Sequence, residues 1–293
     1  MSSAASPNPA TAFYASPAAR ALGAAVRAAH GVSADIGTAL AMRLFFTPQA
    51  RDRRARATAV PAPWQPHRHR FERGALVSWQ RPDTIGRRRV LLTHGWAGDA
   101  QQLRVLGDAV AAAGFDPVLL DLPAHGASDG TRATLPQWVR ALFTASATLG
   151  PWFGAVAHSL GALAASHASA RGLAVQRLAL LAPSPPPALF LRWYARGLGL
   201  DETLAERMER AIADREGVGV EQFAPDWLGP RVALPTLVVH DDDDRTAPLA
   251  GGRALAQALG NARLQVTHGL GHRRILEDEV VVDSVVRHLL ADR

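Results

Sequence analysis

The pentapeptide Ala157-His158-Ser159-Leu160-Gly161 begins at the end of an apolar run, Phe153–Ala157, and leads into an alanine-rich segment. The run is typical of a buried strand, and the alanine-rich segment is typical of a helix. A serine at a sharp strand-to-helix turn is held clear of the backbone when the residues two before and two after it are very small. Ala157 and Gly161 meet that condition, although G-x-S-x-G would have glycine at both positions. An ordinary helix N-cap serine fits the pentapeptide equally well, so both interpretations stay open.

Outward from this turn, short apolar runs alternate with amphipathic segments. The predicted strands are Ala75–Trp79, Val90–Thr93, Pro117–Leu120, Phe153–Ala157, Leu178–Leu181, Leu234–Val239 and Leu264–Val266. The predicted helices are Gln101–Ala113, Leu135–Leu149, Leu160–Arg171, Leu249–Leu259 and Val280–Leu290. Nearly continuous apolar runs are expected of strands buried on both faces of a parallel sheet. The alternation therefore predicts an α/β fold, with a mostly parallel central sheet covered by helices on both faces.

The regular alternation is interrupted in two places. Between Ala182 and Val232 no strand is predicted, and this stretch opens with a cluster of prolines, so we expect an insertion over one edge of the sheet. Near the N-terminus, Ala18–Phe46 has a helical pattern interrupted around Gly31, and prolines then mark an extended connector. We accordingly predict an N-terminal tail and helical extension over 1–66, a core over 67–183 and 231–293, and a helical cap over 184–230.

Residues that can carry out chemistry follow the predicted strands, where ligands bind in open α/β sheets. The strand Val90–Thr93 is followed by His94-Gly95-Trp96-Ala97-Gly98. Glycine allows the backbone to turn here, so that the N–H of Trp96 can face Ser159. Together with the N–H of Leu160, it would form an oxyanion hole beside the serine. We therefore name Gly95, Trp96 and Leu160 as candidate oxyanion and substrate-binding residues.

The last two predicted strands are followed by acids and histidines. Four consecutive aspartates, 241–244, repel one another, so one can act in catalysis while the others cap a helix or stay hydrated. The run lacks the ligand spacing of a calcium loop, and we expect no metal and no cofactor. A glycine-containing loop then carries His268 and His272, of which His268 lies too close to the strand end to reach across easily. A serine, an acid and a histidine after successive strands occur in the order Ser…Asp…His.

With these motifs the sequence resembles the α/β-hydrolase superfamily from about Phe71 to Leu290. Leu92–Trp96 resembles the H-G oxyanion segment, and Asp121–Gly130 resembles D-x-P-G-H-G-x-S with Ala124 in place of glycine. His240–Pro248 is similar to H-G-x-x-D-x-x-x-P with Asp241 in place of glycine, and Gly269–His272 is similar to G-x-G-H. The resemblance implies the α/β-hydrolase fold, a cap between the sixth and seventh strands, and catalytic roles for Ser159, Asp244 and His272.

These residues imply a serine hydrolase that works through an acyl-enzyme on Ser159. The apolar residues of the insertion suggest an ester with a small or medium hydrophobic acyl or alcohol group, although the same residues would also serve to pack a cap. A thioesterase, an amidase or an acyltransferase would use the same triad. A non-catalytic binding protein that retains the fold is the alternative of a different class.

Net charge and composition limit the kinds of site, partner and cellular location that the sequence allows. The chain has no cysteine, which excludes disulfides, thiolate metal sites and a cysteine nucleophile. The net charge of +6 comes from the N-terminal part, where the arginine cluster at 51–56 lies, so we expect no nucleic-acid binding by the main body. That cluster and Phe45-Phe46 suggest peripheral membrane contact, against the alternative of a helix docked on the protein's own surface. Residues 1–17 lack the features of a secretory signal, although a transit peptide stays open, and we expect a cytoplasmic protein.

Overall fold

The computed structural model describes residues 17–48 and 60–291, and within them eight strands form one sheet. The strands are β1 (Gln65–Phe71), β2 (Gly74–Gln80), β3 (Arg89–Thr93), β4 (Asp116–Asp121), β5 (Gly154–His158), β6 (Leu178–Leu181), β7 (Thr236–Asp241) and β8 (Ala262–Thr267). They lie in the order β1-β2-β4-β3-β5-β6-β7-β8. β2 is antiparallel to both of its neighbours, and every pairing from β4 through to β8 is parallel. The predicted, mostly parallel sheet is confirmed.

Helices cover both faces of this sheet. The described helices are α1 (Pro17–Val32), α2 (Ala34–Phe45), α3 (Arg104–Ala112), α4 (Leu135–Leu149), α5 (Leu160–Ala170), α6 (Pro187–Gly197), α7 (Glu202–Glu216), α8 (Pro225–Leu228), α9 (Leu249–Ala258), α10 (Gly271–Arg274) and α11 (Glu279–Leu290). Alternate residues of β3 point to opposite faces: Leu91 packs in the cluster that contains Trp138 of α4, whereas Val90 and Leu92 pack in the cluster that contains Leu106 of α3. Because both faces are buried, the central strands are apolar throughout, as the fold prediction required.

The first strand, β1, was not among the predicted strands. Its residues from Gln65 to Arg70 are exposed or half-buried, and only Phe71 is buried. β1 lies at the edge of the sheet and pairs with β2 alone. A strand with this little burial needs no apolar alternation, so hydrophobic patterning gives no signal for it.

The N-terminal helices pack against the insertion between β6 and β7, the segment for which the sequence predicts a cap. Helices α1 and α2 are separated at Ser33, which caps α2, and they lie against α6 and α7 of the insertion. The Tyr194 hydroxyl of α6 donates to the Ala41 carbonyl of α2 at 3.0 Å, and the Arg27 guanidinium of α1 donates to the Leu198 carbonyl at 2.5 Å. The shared cluster of buried apolar side chains comprises Val26, Ala41, Phe46, Leu191, Tyr194, Ala195, Leu198, Leu204, Ala205, Met208, Ile212 and Val220. The extension is therefore a second layer over the cap.

Two further predictions concern the N-terminal part, namely its tail and its arginine cluster. Residues 1–16 of the tail and the arginine cluster at 51–56 lie outside the described residues. Among the helices of the described ranges, none combines the length and the apolar character that crossing a membrane requires.

Asp121 is the last residue of β4. Its side chain forms hydrogen bonds with three segments, which are β2, the loop after β3 and the loop after β4. Its buried carboxylate accepts hydrogen bonds from the Trp79 indole of β2 at 3.0 Å and from the N–H groups of Ala100 and Ala127 at 2.7 and 3.0 Å. Gly126 passes so close that a Cβ there would lie 2.1 Å from the carboxylate. The loops after β3 and β4 are thus held in place by one side chain.

We expect Asp121→Ala to destabilise the fold by roughly 3 kcal/mol or more, because an unsatisfied buried donor costs about 1–3 kcal/mol and three are created. Urea unfolding followed by circular dichroism measures the change in free energy. Asp108→Ala, which removes a half-exposed carboxylate on α3, is the control and should cost less. An Asp121→Ala variant as stable as wild type would contradict this role.

Candidate active site

Three loops at the carboxyl ends of the parallel strands converge on one point. Ser159 directly follows β5, Asp244 lies three residues beyond the end of β7, and His272 follows β8. Because β5, β6, β7 and β8 are consecutive neighbours in the sheet, these loops lie beside one another although the residues are far apart in the chain. The serine, acid and histidine named from the sequence are thus brought to the same sheet edge.

Ser159 occupies the sharp turn expected between strand and helix. Its backbone has φ 53° and ψ −120°, a conformation that is rare for residues with a Cβ and is typical of strained functional turns. The turn leaves no room for a side chain at Gly161, where a Cβ would lie 2.3 Å from the His94 carbonyl oxygen. Ser159 occupies the N-cap position of α5, but its side chain makes no capping hydrogen bond to that helix, so the hydroxyl does not serve as a cap.

The three side chains form a continuous hydrogen-bonded chain. The Ser159 Oγ lies 3.0 Å from His272 Nε2, and His272 Nδ1 lies 2.6 Å from Asp244 Oδ2. With the ring proton on Nδ1, His272 donates to the carboxylate and accepts from the serine hydroxyl. The Asp244 side chain is fully buried and that of His272 is 12% exposed, so the chain of hydrogen bonds is largely shielded from water.

Asp244 is held as a carboxylate. Burial disfavours its ionised form, but the hydrogen bonds with His240 and His272 outweigh that effect and keep the pKa of Asp244 well below its usual range. His272 is the closer partner, because His240 Nε2 lies 3.5 Å from the carboxylate and already donates to the Ala247 carbonyl at 2.7 Å. The N–H groups of Thr246 and Ala247 fix the other oxygen, Oδ1, at 2.8 Å each.

The loop after β3 places the candidate oxyanion residues against the serine. A Cβ at Gly95 would lie 2.6 Å from the Ser159 Cβ, so only glycine permits this approach. Trp96 and Leu160 are both half-buried beside Ser159, and neither backbone N–H donates to another described residue. Neither N–H is therefore committed to a described acceptor, as an oxyanion hole would require.

Two histidines brace the loop after β3, and the sequence did not single them out as site residues. His94 donates from Nδ1 to the Gly95 carbonyl at 2.7 Å and accepts at Nε2 from the Leu122 N–H at 3.0 Å. His125 Nε2 accepts from the N–H of Ala97, whose φ is 61°, at 3.1 Å. The H-G and D-x-P-G-H-G-x-S resemblances were the only sequence signal for this contact between the two loops.

The other members of the acidic run and the second histidine lie apart from the serine. His268 Nδ1 pairs with Asp242 Oδ2 at 2.6 Å on the surface, and its side chain is 77% exposed. Asp241, Asp242 and Asp243 are close enough together to suggest cation ligands. However, both carboxylate oxygens of Asp241 already accept hydrogen bonds from protein groups, so this donor set does not fit a metal ion.

Known proteins similar to this chain include curated enzymes. A pimeloyl-[acyl-carrier protein] methyl ester esterase of Stenotrophomonas maltophilia is 30% identical over 245 residues, which cover 69% of this chain and 92% of that protein. The corresponding esterase of Xanthomonas oryzae pv. oryzae is 30% identical over 252 residues, covering 71% and 98%.

Solved structures show the same fold. Est1E of Butyrivibrio proteoclasticus, solved with ferulic acid, has a TM-score of 0.59 at 19% identity and covers 76% of this chain and 98% of its own. The Pyrococcus furiosus esterase Pf2001 has a TM-score of 0.60 at 18% identity, covering 78% and 91%. A family described as alpha/beta hydrolase fold matches residues 88–224, and one described as TAP-like protein matches residues 220–293. The chain therefore belongs to the α/β-hydrolase superfamily.

Proposed function

We propose that this protein is a serine hydrolase that cleaves a carboxylic ester with a small or medium hydrophobic acyl or alcohol group. The observation that carries the proposal is the chain of hydrogen bonds from Ser159 through His272 to Asp244, with distances of 3.0 and 2.6 Å. A hydroxyl, an imidazole and a buried carboxylate in this order activate serine as a nucleophile.

The reaction begins with attack of Ser159 Oγ on the ester carbonyl carbon, while His272 Nε2 takes the hydroxyl proton. The carbonyl π electrons move onto oxygen, and the resulting oxyanion accepts hydrogen bonds from the N–H groups of Trp96 and Leu160. When the C–O bond breaks, His272 returns the proton to the departing alcohol, which leaves an acyl group on Ser159. Water, deprotonated by His272, then releases the acid and restores the serine.

Asp244 orients the imidazole and stabilises its charged form during both transfers. Its carboxylate is buried, held by two backbone N–H groups and already ionised, so it needs no reorganisation when positive charge develops on His272. Asp244 therefore orients the His272 ring and stabilises its positive charge, and it does not accept the proton itself.

The apolar side chains of the cap favour a substrate that carries a hydrophobic group. The Ser184 N–H donates to the Ser159 carbonyl at 3.2 Å, so the segment that enters the cap starts at the nucleophile. The first turns of α6 then present Leu189, Phe190 and Trp193, which are half-buried rather than packed away. Apolar side chains on the segment that begins at the nucleophile are suited to an acyl chain or an apolar alcohol.

The relatives support an ester in preference to other acyl compounds. The curated relatives at 30% identity are named methyl ester esterases, and this chain covers more than nine-tenths of their length.

Ser159→Ala should lower kcat by roughly a thousandfold or more while the fold stays intact, because it removes the nucleophile. Labelling with a fluorophosphonate probe, which reacts with activated serines, should disappear in the same variant. Ser184→Ala removes a nearby buried hydroxyl that, among the described residues, donates to the Pro185 carbonyl alone, and it serves as the control. Equal labelling of wild type and Ser159→Ala would refute the proposed nucleophile.

Within the acidic run, Asp244→Asn should reduce kcat by roughly a thousandfold, because the amide disrupts the tautomer and orientation of His272. Asp242→Asn should leave kcat nearly unchanged, since Asp242 is paired with the exposed His268. Kinetics of the two variants under the same conditions compare the positions directly. A loss confined to Asp242→Asn would move the catalytic acid to that residue.

A chain-length series of p-nitrophenyl esters should show turnover that peaks at short or medium acyl chains, because the half-buried apolar side chains of α6 offer a substrate only a limited surface. Parallel thioester and amide substrates measure the preference for the scissile bond. Absence of turnover at every chain length, with the serine still labelled by the probe, would exclude the ester assignment.

A further inference from the structure

The backbone around His272 is held from both sides by polar side chains that the reaction itself does not use. On one side is Asp241, the last residue of β7, and on the other is His158, the last residue of β5. Both side chains are buried, and both reach the loop that follows β8. The contacts are made to the chain on either side of the His272 Cα, so they act on its backbone and not on its ring.

Asp241 makes four hydrogen bonds with its two oxygens. Oδ2 accepts from the Thr267 hydroxyl at 2.8 Å and from the Leu270 N–H at 3.0 Å, and Oδ1 accepts from the Gly271 N–H at 2.8 Å. The N–H of Asp243 completes the set at 3.0 Å. Three of these donors belong to the six residues that lead from the end of β8 to His272. One carboxylate therefore fixes the approach of the chain to the histidine.

His158 contacts the chain on the other side of the His272 Cα. Its Nε2–H donates to the backbone carbonyl of His272 at 2.9 Å. Burial, together with the charge of nearby His272, lowers the pKa of His158 to about 3, so its ring stays neutral over the range in which enzymes usually work. The two rings lie with their centroids 4.7 Å apart. A neutral donor fits this place, because a second positive ring would oppose the charge that develops on His272.

The loop that leads to His272 contains two glycines, so its backbone depends on side-chain hydrogen bonds to hold one conformation. Gly269 and Gly271 both have positive φ, 74° and 66°, and a Cβ at either would meet open space. Glycine there supplies the turn but also the largest conformational freedom in the unconstrained chain. The short helix α10 that contains His272 has only four residues and no buried ones. Arg274 ties this turn internally by donating to the Gly269 and Leu270 carbonyls, and the contacts from Asp241 and His158 fix it relative to β7 and β5.

We propose that Asp241 and His158 form a two-sided backbone clamp that positions His272 between Ser159 and Asp244. They are positioning residues, and this inference rests on the proposed catalytic role of Ser159 and His272. Asp241 stands where the α/β-hydrolase motif usually has glycine, so the aspartate side of the clamp is a feature of this chain's own sequence. A displacement of about 1 Å in a reacting group can cost roughly a hundredfold in rate, which sets the expected scale.

The test is the second-order rate of fluorophosphonate labelling, which reports serine activation without knowledge of the natural substrate. Asp241→Asn keeps the volume but turns an amide N–H₂ toward backbone donors, and it should slow labelling roughly tenfold to a hundredfold. Asp242→Asn, its exposed neighbour, is the matched control and should label within about twofold of wild type, as expected for a surface position. Rates are expressed per folded molecule, with the folded fraction taken from urea unfolding.

His158 provides an independent pair of variants if Asp241→Asn does not fold. His158→Gln keeps an N–H donor at nearly the position of Nε2 and should retain most of the labelling rate. His158→Phe keeps the ring volume, removes the donor and should slow labelling by a factor similar to that in Asp241→Asn. Rescue by glutamine separates a positioning hydrogen bond from simple packing, because packing alone would favour phenylalanine.

A second readout follows the His272 ring directly. The proton shared by His272 Nδ1 and Asp244 should give a far-downfield ¹H NMR resonance, which should weaken or shift in Asp241→Asn and His158→Phe but not in Asp242→Asn. Wild-type labelling rates per folded molecule in either Asp241→Asn or His158→Phe would overturn the clamp. If wild type itself fails to label above Ser159→Ala, the proposed function fails instead, so the two failures are distinguishable.

Discussion

The strained backbone at Ser159 is the constraint on which the rest of the site depends. A residue with a Cβ at φ 53° and ψ −120° costs about 1–3 kcal/mol relative to relaxed backbone, and it persists only where its surroundings fix it. Here β5 lies inside the sheet between β3 and β6, with every residue buried, so the strand cannot move to release the strain. Gly95 and Gly161 supply the space, since a Cβ at either would collide with the turn or the oxyanion loop.

The loops of the site are fixed by hydrogen bonds, most of which come from neighbouring strands or loops. His94, His125 and Asp121 connect the loop after β3 to the loop after β4. The Asp244 carboxylate is fixed by the backbone of its own loop, and the chain at His272 is held from β5 and β7. Preorganisation of this kind spares the reorganisation that would otherwise accompany charge development, which is where electrostatic catalysis gains its advantage. The buried, hydrogen-bonded polar groups around the site therefore help to identify it, as the side chains of Ser159, His272 and Asp244 do.

The N-terminal extension changes the interpretation of the apolar cap. Phe46 is buried, and the Phe45 ring packs on that of Tyr194 with centroids 4.9 Å apart. The aromatic pair that raised the idea of membrane contact thus lies against α6. The Phe46 carbonyl also accepts from the Ala133 N–H at 3.0 Å, which links the extension to the loop before α4. The extension covers the outer apolar face of the cap, so that face is not left open to water.

The sequence by itself determined the fold class, because buried strands alternating with helices have a hydrophobic pattern that few architectures satisfy. It also located the three residues that the structure brings together, because each lies in a turn or loop that follows a strand and fits a short motif. It missed β1, whose exposed edge position needs no apolar pattern, and it gave no role to Asp241 or His158. Those roles depend on which strands are neighbours, and residues 158, 241 and 272 come together only through the order β5-β6-β7-β8. Tertiary structure alone decided them, because a hydrogen bond between distant residues leaves no periodic trace in the chain.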